Sequence, residues 1–475
     1  MAHFRHVDLT GLQKLGIALL FALVIVWQIP HVIALRYLLI LSLCVLYLPR
    51  GVAAIFGRWG NPAAEAWRKR LLLLYAALIV WMLVVAVVIS DETWASLRDI
   101  RAEWLPATLC LAVGIGAGLA LSGAPAGGNN YAVRAVFWGL VFHAVLQLIA
   151  AAWYLAVDGR LPRHFVGISD HRAYVTYTNA LALAMLIAEA VAAAFQNRRY
   201  LGLSRTAFPV IYGVLLLSTF ASAARNGVIV FLLLTIVGAG ILLFLNQKRF
   251  RGNRFGLMVV GGLLVVLLGA WLGIKSDPRW QRIFATIPVA WDIDSTAHWR
   301  NPFVPGRPKV ADGGKVDISV YLRVALARVA WRYLLEHPLG TDTTREALKE
   351  LVTSEYPNAI VAHSHNSYLD LGLATGFPGL LLWVAFLFAL AWYGLRSYRE
   401  THSPYAMALI LVVLGYLLRG GLDSIFRDHM IEQFMLCVGV LMAVLMSAPK
   451  NAPGHAQART PVDTSARVDG QAAKR

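Results

Sequence analysis

The chain has 475 residues, of which 58% are hydrophobic and only 15% are charged. Soluble domains carry about 25% charged residues, so this composition excludes an ordinary soluble protein. The net charge of +17 does not indicate a nucleic-acid partner, because the basic residues are scattered over short segments between apolar blocks instead of forming one face.

The apolar blocks have about the length that a helix needs to cross a bilayer. The stretch from Thr206 to Gln247 is too long for one span, and the sequence Ser222-Ala-Ala-Arg225-Asn226-Gly227 at its centre favours a tight turn between two spans. The predicted fold class is all-α, a polytopic integral membrane protein with about twelve transmembrane helices. In chain order we predict spans at 15–29, 32–48, 71–89, 104–122, 133–155, 174–195, 207–223, 227–245, 255–273, 380–396, 404–419 and 430–447.

The distribution of charge predicts the orientation of these spans. With the N-terminus inside, the seven inside segments and Arg396 carry 22 basic and 5 acidic residues, a net charge of +17. The remaining 21 basic and 21 acidic residues cancel. By the positive-inside rule, we predict an inner-membrane protein with both termini cytoplasmic, surrounded by membrane lipids. The inside segments are 1–14, 49–70, 123–134, 196–206, 246–254, 397–403 and 448–475.

Four parts of the chain follow from this topology. Residues 1–274 hold the first nine spans, and residues 275–379 form a large outer loop with amphipathic helices. Residues 380–448 hold the last three spans, and the polar segment 449–475 is predicted to be a disordered cytoplasmic tail. We expect the outer loop to lie on the membrane face and to contain the active site.

The outer loop contains a predicted amphipathic helix from Ser319 to Glu336. At 100° per residue, Arg323 falls on the same side as Leu334 and Trp331, whereas Arg328 and Arg332 fall on the opposite side as ordinary solvated charges. A buried guanidinium needs an anionic partner. Arg323 therefore indicates either a structural salt bridge or a site that binds phosphate.

The second candidate is the sequence from Ala362 to Asp370, Ala-His363-Ser-His365-Asn366-Ser-Tyr368-Leu-Asp. Asn366 is a predicted N-cap, which puts His365 just before a helix N-terminus, where the neutral imidazole of a general base is favoured. Histidines at a polar interface are the simpler interpretation. A His-x-His metal site is a third, but no third ligand is evident in the sequence, so we predict no metal.

Two further groups of charged residues lie in predicted outer turns. Arg225 is either a snorkelling arginine at a helix end or a second arginine for a polyanionic head group. Arg172, in Gly167-Ile-Ser-Asp-His-Arg172, and Asp423, in Arg419-Gly-Gly-Leu-Asp423, are weaker candidates, for which solvation in a loop is the simpler interpretation.

The order of these motifs resembles the O-antigen ligase and polymerase superfamily, and most closely the ligases. The resemblance rests on Arg323 before Pro338-Leu-Gly340, on His365-Asn366-x-Tyr368-Leu369, and on Gly376-Phe-Pro-Gly379-Leu380. The turn at Arg225, the region 167–179 and the twelve-span plan with a late outer loop are also similar, so the resemblance covers nearly the whole chain.

The resemblance implies a metal-independent, inverting glycosyltransferase without a cofactor. The donor would be an undecaprenyl-diphosphate-linked glycan, and the ligase acceptor would be a sugar hydroxyl of the lipid A–core at the periplasmic face. His365 and Arg323 would be catalytic, and Arg225, Arg323 and Arg172 would bind the donor diphosphate. The predicted supporting residues are His363, Asn366, Tyr368 and Asp423, and which of the two histidines is the base stays open.

Three alternatives remain at this stage. A polymerase or a protein O-glycosylating ligase of the same superfamily would use the same donor with another acceptor. A secondary transporter or flippase could also have twelve spans, but it should carry functional charges near the membrane midplane. Only Arg36 and Glu189 come near span interiors, which favours an enzyme.

Overall fold

A computed structural model of the protein describes residues 9–57, 62–122, 130–162, 165–196, 199–245, 254–276, 280, 282–341, 345–426 and 429–447. These residues are almost entirely helical, as the sequence predicts. The predicted tail 449–475 lies outside the described residues. The α-helices are α1 Gly11–Val26, α2 Ile33–Phe56, α3 Pro62–Val84, α4 Thr93–Asp99, α5 Leu105–Ala120, α6 Tyr131–Asp158, α7 Arg172–Gln196, α8 Ala207–Ala221, α9 Arg225–Leu245, α10 Arg254–Ser276, α11 Ile283–Trp291, α12 Ile318–Glu336, α13 Ala347–Glu355, α14 Ser367–Thr401, α15 Pro404–Gly420 and α16 Met430–Ser447.

The polytopic all-α class is confirmed. Eight helical segments of the described chain are long and apolar enough to cross a membrane, and four shorter apolar helices coincide with the other predicted spans. The tight turn predicted within 206–247 is present, because α8 ends at Ala221 and α9 begins at Arg225. The four shorter helices are Gly11–Val26, Ala207–Ala221, Val259–Gly269 and Pro404–Gly420.

Small residues let the central helices approach closely, as is usual for helices packed in a membrane. A Cβ atom on Gly114 of α5 would lie 2.5 Å from the carbonyl oxygen of Leu436 in α16. On the other side of the contact, a Cβ on Gly439 would lie 2.3 Å from the carbonyl oxygen of Leu111. The two backbones therefore touch, and α5 and α16 are packed closely against each other.

The turns that the charge distribution assigns to the outer side contact one another. Arg345 of the large loop pairs with Glu103, which precedes α5, at 3.0 Å. The Trp27 indole at the end of α1 donates to Glu432 in the first turn of α16 at 2.9 Å. The segment before α7 reaches the same end, since the Asp170 amide donates to the Gln28 carbonyl oxygen at 3.1 Å. The helix ends that carry the predicted site residues are thus gathered on one face.

The large loop packs on the first part of α14 through its own apolar cluster, which includes Tyr321, Val329, Tyr333, Leu373 and Ala374. The buried face of α12 differs from the predicted one. Trp331, expected on the buried side, is 40% exposed, whereas Tyr333 is buried. The reason is that α12 packs against other parts of the loop as well as α14, so helical periodicity alone misplaced the centre of the face.

Arg328 and Arg332 are also more engaged than simple solvated charges. The Arg328 guanidinium carbon lies 5.2 Å from the centre of the Trp291 ring. Arg332 donates to the Glu355 carboxylate at 2.9 Å. Both arginines therefore tie α12 to neighbouring parts of the outer loop, to α11 in the first case and to the end of α13 in the second.

Two glycine-containing motifs of the sequence dock against each other. Gly376 breaks α14 with a φ of 66° and a ψ of −175°, so the helix consists of a short first part and a long second part. The Phe377 amide donates to the Pro338 carbonyl oxygen at 2.8 Å. A Cβ on Gly340, whose φ is +101°, would lie 2.7 Å from the Ala374 carbonyl oxygen. This contact sets the position of α12, and thus of Arg323, relative to the start of α14.

Candidate functional site

Asp423 lies in the turn after α15 and joins three helices. Its Oδ2 accepts hydrogen bonds from the Asn226 amide at 2.8 Å and from the Arg419 guanidinium at 3.0 Å. Arg419 is only 1% exposed and also donates to the Ala173 carbonyl oxygen at 3.2 Å. The Asp423 carboxylate therefore links the start of α9 to the end of α15, and through Arg419 to the first turn of α7.

His365 stands beside this carboxylate. Its Nδ1 lies 3.8 Å from Asp423 Oδ1, within ion-pair range but longer than a hydrogen bond, and 3.1 Å from His363 Nε2. The ring is 28% exposed. Because both close neighbours face Nδ1, a proton held there leaves the lone pair of His365 Nε2 available to accept another proton.

The backbone that carries His365 is unusual. His365 has a φ of 59°, in the left-handed region that non-glycine residues rarely adopt. The neighbouring residues enforce this turn, since the Ser364 amide donates to the buried Asp370 carboxylate at 2.9 Å. Asn366 is the predicted N-cap of α14, and its side-chain oxygen accepts from the amides of Tyr368 at 3.0 Å and Leu369 at 3.2 Å. A strained residue held in this way is typical of a functional position.

The predicted supporting residues Asn366 and Tyr368 also hold the histidine turn against the Asp423 turn. The side-chain Nδ2 of Asn366 donates to the Gly421 carbonyl oxygen at 3.3 Å. The Tyr368 hydroxyl donates to the Leu417 carbonyl oxygen at 2.7 Å, and the Ser367 hydroxyl donates to the Asp423 carbonyl oxygen at 2.7 Å. These contacts fix the distance between the imidazole and the carboxylate.

The electrostatic surroundings keep Asp423 ionised. Burial by itself would raise the pKa of this carboxyl group. The His365 ring and the Arg419 guanidinium outweigh burial, and Arg323 adds a third favourable interaction. The pKa of Asp423 therefore lies well below its usual range, and the side chain is a negative charge at any ordinary pH.

Arg323 projects from α12 toward the same cluster. One of its terminal nitrogens donates to the Ser319 carbonyl oxygen at 3.1 Å and also contacts the Ser319 hydroxyl. Burial lowers the pKa of the Arg323 guanidinium; the charge of Asp423 opposes this shift, and the charge of Arg225 adds to it. The Nε of Arg323 is buried and has no hydrogen-bond partner within the described chain.

Arg225 begins α9 and pairs with Asp317 at 2.9 Å. Asp317 is the N-cap of α12, and its Oδ1 also accepts from the Val320 amide at 3.0 Å. Burial by itself would raise the pKa of Asp317, but the hydrogen bonds from Arg225 and Val320 outweigh burial and lower it. The pair connects the membrane bundle to the helix that carries Arg323. The simpler interpretation of Arg225 was an arginine that snorkels at a helix end. Its pairing with Asp317 does not fit that interpretation.

Arg172 is the first residue of α7 and is half-buried. The next residue, Ala173, supplies the carbonyl oxygen that Arg419 contacts. The first turn of α7 also packs on the start of α9, where a Cβ on Gly227 would lie 2.2 Å from Thr176. Arg172 thus belongs to the same face as Arg225, and its neighbour Ala173 contacts Arg419.

The cluster carries more positive than negative charge. Arg225, Arg323 and Arg419 face two carboxylates, Asp317 and Asp423. Three buried N–H groups, on Arg323 Nε and on Arg419 Nε and Nη1, have no acceptor among the described residues. Buried donors without partners are costly. The arrangement therefore suits an anionic ligand with several acceptor oxygens, placed beside a potential base.

The expectation from the sequence, that no third metal ligand lies near the two histidines, is wrong. One ligand atom each from His363, His365 and Asp423 lies within 4.8 Å of the others, a spacing that could hold a metal ion. The expectation failed because Asp423 is 58 residues from His365 and reaches it only through the fold. The charges argue against a cation at this point, however, because Asp423 is already paired with Arg419 and faces Arg323.

Three residues that were not predicted as site residues take part in the site: Asp317, and Asn226 and Arg419, which the sequence analysis named only as members of the motifs around Arg225 and Asp423. The spacing of Arg419 and Asp423, four residues apart next to an apolar helix, was a usable signal for a paired buried charge. Asp317 sits one residue before α12, where an N-cap is expected. Asn226 follows Arg225 directly, and its pairing with Asp423 depends on the fold alone.

Residues 210–384 match the family model described as O-Antigen ligase. The match contains Arg225, Asp317, Arg323, His363 and His365, and it ends before Arg419 and Asp423. It supports the resemblance to the O-antigen ligase and polymerase superfamily that the motifs predict. A comparison with curated proteins gives no sequence match.

Proposed function

From the O-antigen ligase domain over residues 210–384, we propose that the chain joins a lipid-linked glycan to the lipid A–core. The donor is an undecaprenyl-diphosphate-linked O-antigen glycan, and the acceptor is a sugar hydroxyl. The observation that carries the proposal is the Asp423 junction. It brings His365 together with Arg419 and Arg323 on the face formed by the predicted outer turns, beside the pair of Arg225 and Asp317.

In the proposed reaction, the arginines hold the donor diphosphate. Arg323 and Arg419 have buried N–H groups without an acceptor among the described residues, and planar guanidiniums match phosphate oxygens well. Arg225, and Arg172 on the same rim, complete the binding of the diphosphate. Fixed positive charge stabilises the negative charge that grows on the diphosphate as its bond to the sugar breaks.

His365 is the proposed general base. The acceptor oxygen attacks the anomeric carbon from the side opposite the diphosphate, and the bond from that carbon to the diphosphate oxygen breaks, which inverts the configuration. The hydroxyl proton passes to His365 Nε2. Asp423 and His363 act as positioning residues, because both lie next to Nδ1 of the same ring. We propose that no metal takes part, since the arginines supply the positive charge.

The face that carries the site is assigned to the periplasm, with both termini cytoplasmic, from the excess of basic residues on the opposite side. A transporter is the less favoured alternative. The buried Glu189 accepts from the backbone amides of Leu201 at 3.0 Å and Leu203 at 3.2 Å. Arg36 donates to the Ile29 carbonyl oxygen at 3.4 Å. Both charges are engaged by nearby backbone, as structural groups are.

The test uses the purified protein in lipid nanodiscs with a lipid-linked glycan as donor. One sample receives lipid A–core, a second receives donor alone, and a third receives an acceptor protein. We expect glycan attached to lipid A–core and no lengthened donor in the second sample. Lengthened donor would identify a polymerase, glycosylated protein would identify a protein ligase, and no product in any sample would contradict the proposal.

A further inference from the structure

The outer loop contains an open pocket of about 650 Å³ that the proposed reaction does not use. Residues 302–307 form one wall, and the side chains of Arg307, Lys309 and Lys315 supply its charge. Phe303, also in the wall, is 79% exposed. The volume of the pocket lies in the range of small-molecule binding sites.

Lys309 and Lys315 face each other across a short hairpin, where they form an antiparallel bridge. The Val310 amide donates to the Gly314 carbonyl oxygen at 2.8 Å, and the Val316 amide donates to the Pro308 carbonyl oxygen at 3.1 Å. This pattern makes the two lysines a non-hydrogen-bonded pair, in which opposite side chains lie closest. Like charges at such positions destabilise the hairpin.

No ion pair offsets this repulsion within the described part of the chain, where Arg307, Lys309 and Lys315 have no carboxylate partner. The nearest acid in sequence, Asp312, accepts from the Gly314 amide at 2.8 Å within the hairpin turn. Three cations around one concave space, at a cost to the hairpin, indicate an anionic ligand.

The pocket is tied to the candidate site. Lys315 precedes Asp317 by two residues, so their Cα atoms are at most about 7 Å apart. Arg282 donates to the Lys315 carbonyl oxygen at 3.2 Å, and the Asp317 amide donates to the Thr286 hydroxyl at 3.1 Å. The hairpin is therefore held against α11 and leads directly into the carboxylate that pairs with Arg225.

We propose that this pocket binds phosphate groups on the sugars of the acceptor glycolipid. The inference rests on the proposed function, in which the donor diphosphate already occupies the arginines around Asp423. A second anionic group close to that site must then belong to the other substrate. The concave shape and the exposed Phe303 ring suit a sugar phosphate better than a flat membrane surface.

The test compares wild-type protein with the triple variant Arg307→Gln, Lys309→Gln and Lys315→Gln in neutral phosphatidylcholine nanodiscs. The control variant is Arg98→Gln, Arg101→Gln and Lys349→Gln. It also loses three positive charges, but at other exposed positions of the predicted outer side. Equilibrium binding of lipid A–core and of phosphatase-treated lipid A–core is measured first. Transfer is then measured with each acceptor at a fixed donor concentration.

We expect wild-type and control proteins to bind the phosphorylated acceptor about tenfold more tightly than the treated one, a preference that weakens at high salt. The triple variant should lose this preference and keep its KM for the donor. Equal affinity of wild-type protein for both acceptors, or the same loss in the control variant, would overturn the proposal. So would displacement of the acceptor by phosphatidylglycerol at a similar concentration, which would identify a lipid site.

This experiment separates the inference from the proposed function. If the wild-type protein transfers no glycan but still prefers the phosphorylated acceptor through Arg307, Lys309 and Lys315, then the pocket is a phosphate site and the proposed reaction is wrong. If transfer occurs and the triple variant uses both acceptors as wild type does, then the reaction stands and the pocket assignment is wrong.

Discussion

The carboxylate of Asp317 caps α12 and pairs with Arg225 at 2.9 Å, so one side chain connects the outer loop to the transmembrane bundle. In the proposed reaction the donor diphosphate competes with this carboxylate for Arg225. The Asp317 side chain therefore has two separable roles: it caps α12, and it is the counter-ion of Arg225.

Substitutions at Asp317 separate these roles. Asp317→Asn keeps a good N-cap and removes the charge, so we expect a lower KM for the donor. Asp317→Ala removes both, and it should unfold at a lower temperature than Asp317→Asn, in line with a cap contribution of about 1 kcal/mol. Donor titrations and thermal unfolding in nanodiscs measure these effects. A raised donor KM in Asp317→Asn would mean that the carboxylate orients Arg225 productively.

His365→Ala should remain folded and inserted, and we expect it to lose transfer activity by about 10²–10⁴-fold in kcat. His363→Ala should lose less, because His363 contacts Nδ1 of the His365 ring and not Nε2, the nitrogen proposed to accept the proton. The exposed His337, in the same loop, provides the control substitution His337→Ala. Single-turnover transfer with saturating donor measures the chemical step. Near wild-type transfer by His365→Ala would remove the general base from the mechanism.

Arg323→Ala should weaken donor binding strongly, and Arg323→Lys should still lose about tenfold or more, because an ammonium group cannot make two parallel hydrogen bonds to a phosphate. Arg328→Lys is the matched control, since Arg328 lies over the Trp291 ring on another side of the same helix. Donor binding is measured directly with the lipid-linked glycan. A fully active Arg323→Lys would contradict bidentate recognition of the diphosphate.

The pH dependence of stability should change when Asp423 is replaced. The pKa of this carboxyl group is lowered in the folded protein, so its contribution is complete above the unfolded-state pKa of about 3.9 and decreases as the pH falls toward the folded-state value. Between pH 7 and pH 3, the unfolding temperature of the wild type should therefore fall more than that of Asp423→Asn. If the unfolding temperatures of the two proteins changed in parallel with pH, the neighbours of Asp423 would not lower its pKa in the folded protein.

Treatment with a chelator tests the alternative role of His363, His365 and Asp423. We expect EDTA to leave transfer unchanged, because the neighbouring arginines oppose a cation at this position. The assay is repeated after adding back magnesium, manganese, calcium or zinc singly. If transfer disappears with chelator and one of these ions restores it, the three side chains are metal ligands and the proposed base is misassigned.

The sequence by itself determined that the protein is helical and membrane-embedded, and it predicted which helix ends share a face. Apolar length and the placement of basic residues depend on the bilayer as a solvent, and both can be evaluated without contacts. The tight turn before Arg225 and the N-cap at Asn366 were equally accessible, since each depends on a few neighbouring residues.

Only the tertiary structure decided which charges meet. Asp423 reaches His365 and Asn226 across 58 and 197 residues, and Arg225 reaches Asp317 across 92. Such pairings depend on how the helices dock against one another. At one such contact, the backbone at Gly340 packs against the kink in α14 at Gly376, where a larger residue would not fit. The buried face of α12 was misjudged for the same reason: helical periodicity orders the side chains around an axis, but the packing partners determine which side is covered.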